Sequence, residues 1–396
     1  MLHDLSQAEW PRRQGLAMLT AALGAENIRW VGGAVRDSLL GTDVQDVDCA
    51  TLLTPDKVID LCRAAGIRTV PTGIEHGTVT AILKDGPVEI TTLRRDVTTD
   101  GRRATIAFAS EWREDAARRD FTINALYADP VTLAISDFFG GLDDLAARRV
   151  RFIGDARARI AEDHLRILRY FRFQARFGAE LDPQAEEACS ELAHTLKGLS
   201  RERIAAELLA LLALPDPYAT LERMRSGGVL GVILPEACPA QLAALGRLIV
   251  TEAGQGFAPD PVRRLAALLP PSPDVAETVA ARLRLSKAQR GRLVSAAERS
   301  ATDAEHPQAL AYRITPPSAI DRLLLLGADA RTIASWTVPV FPLKGGAIVA
   351  RGVTAGPAVA RILQTIEAKW VAEGFPGAAR VEELLAEALA DQPPAG

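Results

Sequence analysis

The stretch Val31-Gly-Gly-Ala-Val-Arg-Asp37, followed closely by Asp46-Val-Asp48, constrains the fold more than any other part of this chain. Asn27 to Val31 reads as a strand, Ala34 to Leu40 as a short helix stopped by Gly41, and Val44 to Thr51 as a second strand. A chain that runs strand, Gly-Gly, helix, strand is committed to an α/β layer with a helix start at the end of a strand. Gly32 and Gly33 lack Cβ atoms, so backbone N–H groups there can approach a phosphate. Arg36, one turn in, can reach the same phosphate. Residues two apart on a strand share a face, so Asp46 and Asp48 project together. Adjacent carboxylates repel one another, and a divalent cation relieves the repulsion. Magnesium in particular binds through a few carboxylates plus substrate phosphates.

The following residues continue the alternation. Thr54-Pro-Asp56 opens a helix through Ala65, with Thr54 as N-cap and Pro55 at the first helical position. Thr78 to Leu83 and Val88 to Leu93 read as a hairpin turning at Lys84-Asp-Gly-Pro87. Glu89 would face opposite to Val88 and Ile90, which makes it a candidate third metal ligand. Residues 94–114 are charged and show no period, so a mobile loop is expected there. Phe121 to Tyr127 reads as a helix and Leu133 to Phe138 as a strand. From about residue 155 the chain becomes a succession of Ala-, Leu-, Glu- and Arg-rich helical segments separated by Pro and Gly, with a frayed tail at 391–396. The expected domains are a catalytic head at 1–145, a helical neck at 146–215, and a helical body and tail at 216–396.

The net charge of −4 gives no hint of a polyanion partner, but its distribution does. Residues 148–176 hold nine arginines against Asp155, Glu162 and Asp163, and residues 94–119 add seven more. Such a local basic surface can steer a polyanion on a nearly neutral protein. Cys49, Cys62, Cys189 and Cys238 form no Cys-x-x-Cys pair, so neither a zinc site nor a disulfide framework is expected. The first residues lack an apolar signal core and no window is long and apolar enough to span a membrane, so the expected location is the cytoplasm.

Five segments in order carry a family resemblance: Gly32 to Asp37 with Asp46-Val-Asp48; Arg118-Arg-Asp-Phe-Thr-Ile-Asn-Ala125; Phe139-Gly-Gly-Leu-Asp-Asp-Leu145; Glu162-Asp-His-Leu-Arg-Ile-Leu-Arg169; and Leu199-Ser-Arg-Glu-Arg-Ile204 with Glu207. Together they resemble the class II tRNA nucleotidyltransferase and bacterial poly(A) polymerase superfamily, over about residues 25–210. The resemblance implies an α+β fold, a mixed-sheet, polymerase β-like nucleotidyltransferase head followed by an all-helical neck, body and tail. It implies that Asp46 and Asp48 bind the metal, with Glu89 beside them. Gly32, Gly33 and Arg36 would contact the triphosphate, and Arg119, or its neighbour Arg118, the nucleotide. Asp120 and Asn124 resemble sugar-side or scaffold residues. Asp163 and Arg166 would read the incoming base, with Arg169 and Arg172 following on the same helical face.

The base-reading pair also makes sense chemically. Asp163 and Arg166, three apart, would be neighbours on a helix. Aspartate offers acceptors and arginine donors. Cytosine and adenine both present an exocyclic amine beside a ring-nitrogen acceptor, which uracil and guanine do not. The activity the resemblance implies is metal-dependent, template-independent addition of CCA, or part of it, to tRNA 3′ ends from CTP and ATP, with magnesium as cofactor. A poly(A) polymerase of the same superfamily and a catalytically silent RNA-binding homologue are the alternatives. Some relatives carry a phosphohydrolase domain with a His-Asp pair. The pair here, His3-Asp4, lies at the extreme N-terminus, so that domain is not expected.

Overall fold

The computed structural model describes residues 2–390 apart from 45, 101 and 102, with backbone alone at 95–100 and 103–107. The chain forms two compact units, 1–235 and 236–396, so the division falls beyond the expected end of the neck at 215.

The first unit opens with helix α1 (Gln14–Leu23) and is organised on a seven-stranded mixed sheet. Its strands are β1 (Ile28–Val31), β2 (Val47–Thr51), β3 (Arg68–Gly73), β4 (Thr78–Leu83) and β5 (Gly86–Thr92). After the separate hairpin of β6 (Arg94–Asp100) and β7 (Arg103–Phe108) come β8 (Leu126–Ala128) and β9 (Ile135–Asp137). The order across the sheet is β3-β4-β5-β2-β1-β8-β9. Every neighbouring pair is antiparallel except β2 and β5, which run parallel in the register Asp48↔Glu89. Helix α2 (Gly33–Leu39) links β1 to the β2 approach, and α3 (Pro55–Ala64) follows β2. Along β5, Val88, Ile90 and Thr92 are buried while Glu89 is exposed, which is the expected alternation.

Three expectations change. Residues 94–114 form a paired hairpin followed by α4 (Trp112–Ala117), not an irregular loop. A register shift between Asp96 and Thr98 breaks the two-residue period, which hides the strands in the sequence. The tip at 101–102 and the tail at 391–396 lie outside the described residues. Second, Phe121 to Tyr127 is not a helix. It is a single 3₁₀ turn, Thr122–Asn124, running into β8, which pairs with β1 through Trp30↔Ala128 and Val31↔Tyr127. A short run buried on every side carries no period that separates strand from helix. Third, β2 begins at Val47, so Asp46 precedes the strand.

Helix α5 (Gly141–Ala146) explains the Gly-Gly of the third segment. Gly140 has φ of +76°, and a Cβ on Gly141 would stand 2.3 Å from the Thr122 carbonyl oxygen. Only glycine lets this helix start lie against the 3₁₀ turn. Buried Asp144 completes the junction by accepting from the Thr122 hydroxyl at 2.7 Å and from Arg149 and Arg151 at 2.9 and 2.8 Å.

The rest of the unit is helical: α6 (Ala156–Glu162), α7 (Arg166–Phe177), α8 (Pro183–Glu191) and α9 (Arg201–Leu212), then helices Tyr218–Ser226 and Val229–Ile233. Phe121 packs against Phe152 and Phe173 at ring separations of 4.9 and 5.3 Å, and Phe152 stacks on Tyr170 at 5.7 Å. These rings fix α7 to the head.

The second unit is entirely helical among its described residues. Buried Glu252 accepts from Arg263 and Arg264 at 2.7 and 2.8 Å, and buried Asp321 from both arms of Arg292 at 2.9 Å. Charges this deep are tolerated because each has its partners. A separate apolar cluster around Ile348, Ile366, Trp370 and Leu384 closes the C-terminal end.

Replacing Gly141 by alanine forces the Thr122 backbone to move and should destabilise the protein by about 1–3 kcal/mol, the range for overpacking a tight site. Gly254, on helix Pro239–Gln255 with open space around it, is the control, and Gly254→Ala should be neutral or slightly stabilising. Denaturant unfolding of both variants checks the contrast.

Candidate active site

One cavity of about 390 Å³ in the first unit gathers most of the expected residues. Asp48 and Glu89 form part of its wall, with Arg118 and Arg119 from the segment after α4 and Asp163, Arg166 and Arg169 from the α6–α7 region. Arg94 and Arg203 complete a lining of six arginines and four acids, which suits a polyphosphate with a cation.

The carboxylates are positioned by strand pairing. Parallel register sets Asp48 beside Glu89, while exposed Asp46 stands just before β2. Burial, then the charge of Glu89, raises the Asp48 pKa, with Arg119 pulling against them and Asp46 adding to them. Among the described residues none of the three carboxylates takes part in a hydrogen bond or ion pair. Unpaired, mutually repelling carboxylates fit a hard divalent cation. No group of three or more His, Cys, Asp or Glu among the described residues forms a metal cage, so phosphate and water oxygens would have to complete the coordination. Gly32, with φ of +71°, turns the chain between β1 and α2; a Cβ there would lie 3.8 Å from Asp48 Oδ2 and 3.7 Å from Arg119 Nη1. Gly32 therefore borders Asp48, whereas a Cβ on Gly33 would lie 3.9 Å from Arg36 Nη2.

Arg36 stands elsewhere. It is 5% exposed, donates to Asp37 and Asn124, and lies over the rings of Phe173 and Phe177. Arg36 is thus outside the cavity lining, with its donors on Asp37 and Asn124 and its guanidinium over rings of α7. Arg118 and Arg119 both line the cavity. Asp115 holds them, at 2.8 Å from Arg118 Nε and 3.2 Å from Arg119 Nη2, while Tyr127 donates its hydroxyl to Asp115 and accepts from Arg119 Nε.

The base-reading pair differs from a simple helical i, i+3 pair. Helix α6 ends at Glu162, Asp163 is extended, and α7 begins at Arg166, so the two residues flank a turn. Their side chains do not bond to each other, although the Arg166 N–H donates to the Asp163 carbonyl at 3.0 Å. Asp163 Oδ1 accepts from the Leu165 N–H at 3.1 Å, and Oδ2 accepts from Arg203 at 2.7 Å. Arg166 donates to Glu162 and to the carbonyls of Arg159 and Arg118. Arg169 binds Asp120 at 2.7 Å, whose other oxygen accepts from Asn124, so Asp120 and Asn124 act as scaffold. Arg172 binds Glu207 at 2.6 Å and lies over Phe173, outside the cavity lining. Arg94 and Arg203 were missed as site residues. Arg203 stands in the fifth segment, whose recurrence in the family order was its signal; Arg94 carried none beyond its charge.

Asp115 also gives a pH signature. Burial alone would raise its pKa, but Arg119, Arg118 and the Tyr127 hydroxyl outweigh it and hold the carboxyl at about 2. A pKa depressed in the folded state contributes stability that is present above about pH 4 and is lost as pH falls towards 2. Asp115→Asn should therefore cost about 2 kcal/mol or more near neutrality. Its difference from wild type should shrink between pH 4 and pH 2, as read from unfolding free energies.

The "Poly A polymerase head domain" family matches residues 28–151, and the family described as "Probable RNA and SrmB- binding site of polymerase A" matches 178–241. The human mitochondrial CCA tRNA nucleotidyltransferase 1 is 36% identical over 383 residues, spanning 91% of this chain and 87% of that protein. The CCA-adding enzyme of Leuconostoc citreum is 43% identical over 185 residues, 46% of this chain and 45% of that protein. The structure of the Bacillus stearothermophilus CCA-adding enzyme with CTP superposes with a TM-score of 0.76 at 24% identity, covering 97% of this chain and 98% of the other, a likeness of fold. No helix among the described residues is long and apolar enough to cross a membrane. With such identity along nearly its whole length, the chain belongs to the class II tRNA nucleotidyltransferase and poly(A) polymerase superfamily, as a nucleotidyltransferase of the CCA-adding branch.

Proposed function

We propose that the protein builds CCA, or part of it, on tRNA 3′ ends from CTP and ATP. The observation that carries this reading is one cavity walled by the Asp48–Glu89 pair, the Arg118–Arg119 pair and the Asp163–Arg166 pair. Relatives named for CCA addition, one of them matching over 91% of the chain, support this reading over poly(A) synthesis. The head at 1–145 would house the chemistry, the neck at 146–215 the base selection, and residues 216–396 the grip on tRNA. An aqueous compartment holding tRNA and both triphosphates, such as the cytoplasm, suits the reaction; the human relative's name places that protein in mitochondria.

The terminal ribose hydroxyl of the RNA attacks the α-phosphorus, the bond to the bridging oxygen breaks, and pyrophosphate leaves. Asp48, with Asp46 and Glu89, would hold magnesium, which when bound stabilises charge on the α-phosphoryl group and acidifies the attacking hydroxyl. Arg118 and Arg119, locked by Asp115 and Tyr127, are pre-set to neutralise the triphosphate without reorganising. Gly32 and Gly33 let the chain pass close to it. Asp163 is held in place by the Leu165 N–H and Arg203, and as a carboxylate it would accept from the exocyclic amine of C or A. Arg166 is fixed by two carbonyls and Glu162, leaving its remaining donor capacity for the ring nitrogen.

Sequencing the products made from tRNA lacking its 3′ end tests the reading. C-C-A or a part of it supports it, a run of A assigns a poly(A) polymerase, and no extension assigns a silent homologue. Asp46→Ala and Asp48→Ala should abolish incorporation with the far-ultraviolet circular dichroism unchanged; normal turnover at saturating magnesium would remove the metal assignment. Asp163→Ala should let UTP and GTP gain on CTP and ATP by roughly ten- to a hundredfold, the equivalent of a bidentate base contact worth about 1–3 kcal/mol. Single-nucleotide incorporation with each of the four triphosphates measures it. A uniform loss of rate with strict C and A preference would place the template in other residues.

A further inference from the structure

We propose that Arg247 and Arg299 form a phosphate-binding pocket in the second unit that holds the backbone of the RNA acceptor; this rests on the tRNA reading above. Most arginines of this unit are neutralised by a carboxylate. Arg263 and Arg264 share Glu252, Arg292 binds Asp321, Arg282 binds Glu236, Arg322 binds Glu298 and Arg290 binds Glu277. Arg247 and Arg299 depart from that pattern. Among the described residues, no carboxylate lies within ion-pair distance of either, and both line one cavity of about 510 Å³.

The cavity lies between helix Pro239–Gln255, which carries Arg247, and the C-terminal end of helix Pro316–Leu325. Leu248, exposed Val250 and Leu325 give it an apolar wall, and no acidic residue lines it. Arg299 follows helix Lys287–Ala297 and spends one Nη1–H on the Ala296 carbonyl at 2.9 Å. It is partly buried, and burial lowers its pKa with no nearby carboxylate to offset the cost. A desolvated cation without a counter-ion is unfavourable, and an incoming anion removes the penalty. The planar forks of two guanidinium groups match phosphate oxygens. The apolar wall suits the face of a ribose or base, and the volume lies in the range of about 300–1,000 Å³ typical of ligand pockets. The proposed substrate, a long polyanion, supplies such phosphates in number. A chain with net charge −4 has to meet them at local basic sites.

The test is the salt dependence of tRNA binding by the full-length protein, measured for wild type, Arg247→Ala, Arg299→Ala and Arg299→Lys. Each alanine variant should weaken binding and flatten the slope of log K against log salt by about one unit, as expected for one lost phosphate contact. Arg299→Lys keeps the charge and should retain the slope. CTP binding, measured without RNA, should be unchanged in all three and shows that the fold is intact. Unchanged tRNA affinity and slope in the alanine variants would overturn the pocket. Weaker binding at unchanged slope would also overturn it, because a structural effect does not alter the number of ions released. Failure of the wild-type protein to bind tRNA at all would overturn the tRNA reading itself.

Discussion

The parallel pairing of β2 with β5 is the constraint on which the site depends. It is the one parallel junction in the sheet, and its register puts Asp48 next to Glu89. Two carboxylates on adjacent strands, partly shielded from water, repel each other more strongly than they would in solution. Burial first, and then the charge of Glu89, raises the Asp48 pKa. The surrounding arginines offset it only in part, because Arg118 and Arg119 are already committed to Asp115. The arrangement is thus frustrated when only protein is present. A cation and a polyphosphate together satisfy both halves of it, the carboxylates through the metal and the arginines through the phosphates. The strain sits where the chemistry is proposed, as expected of a functional site.

The segment Arg118 to Ala125 ties this charge arrangement to α7. Within eight residues it supplies two arginines to the cavity, Asp120 to Arg169, Phe121 to the aromatic cluster on α7, Thr122 to Asp144 and Asn124 to Arg36. These contacts reach α2, α5 and α7, so the segment has no freedom to form a helix of its own. Its backbone is instead held by its side chains, which is why a single 3₁₀ turn is all the regular structure it keeps before β8 begins. Arg36 belongs to the same junction. A guanidinium lying over Phe173 and Phe177 gains cation–π attraction that holds α2 to α7, while its donors reach Asp37 and Asn124. Its contribution to the site is therefore the position of α2, and with it the Gly32 turn beside Asp48.

What could be read from the sequence follows from how local each feature is. The strand, Gly-Gly, helix start and the alternation of β5 are set by neighbouring residues, so Gly32, Asp48 and Glu89 were legible. Most helices of the neck and body were legible for the same reason, since Pro, Gly and capping residues mark their ends. The bulged β6–β7 hairpin was not, because its period is interrupted. Phe121 to Tyr127 was misread because burial on all sides erases the pattern. Arg36 shows a different kind of failure. Its position one turn into a helix with a glycine start pointed towards phosphate, and the deciding partners, Asn124 and Phe173, are distant in sequence. The ion pair between Asp163 and Arg203 was hidden likewise, although both segments had been singled out.

That ion pair bears on how a protein can replace a nucleic-acid template. A side chain discriminates between bases only if the wrong base cannot recruit it into another geometry. An unrestrained aspartate could rotate, or take a proton and become a donor, and would then tolerate the carbonyl that U and G present where C and A carry an amine. In this structure rotation is opposed. The Leu165 N–H and Arg203 each occupy one oxygen, which fixes the carboxylate in place. Arg166 is similarly fixed by carbonyls from two different segments. Uracil and guanine would then face an acceptor where they need a donor, in a cavity where an unmatched polar contact is costly. On the proposed reading, rejection of the wrong base would come from the rigidity of these two side chains as much as from their chemistry. Both properties are supplied by residues far from them in sequence.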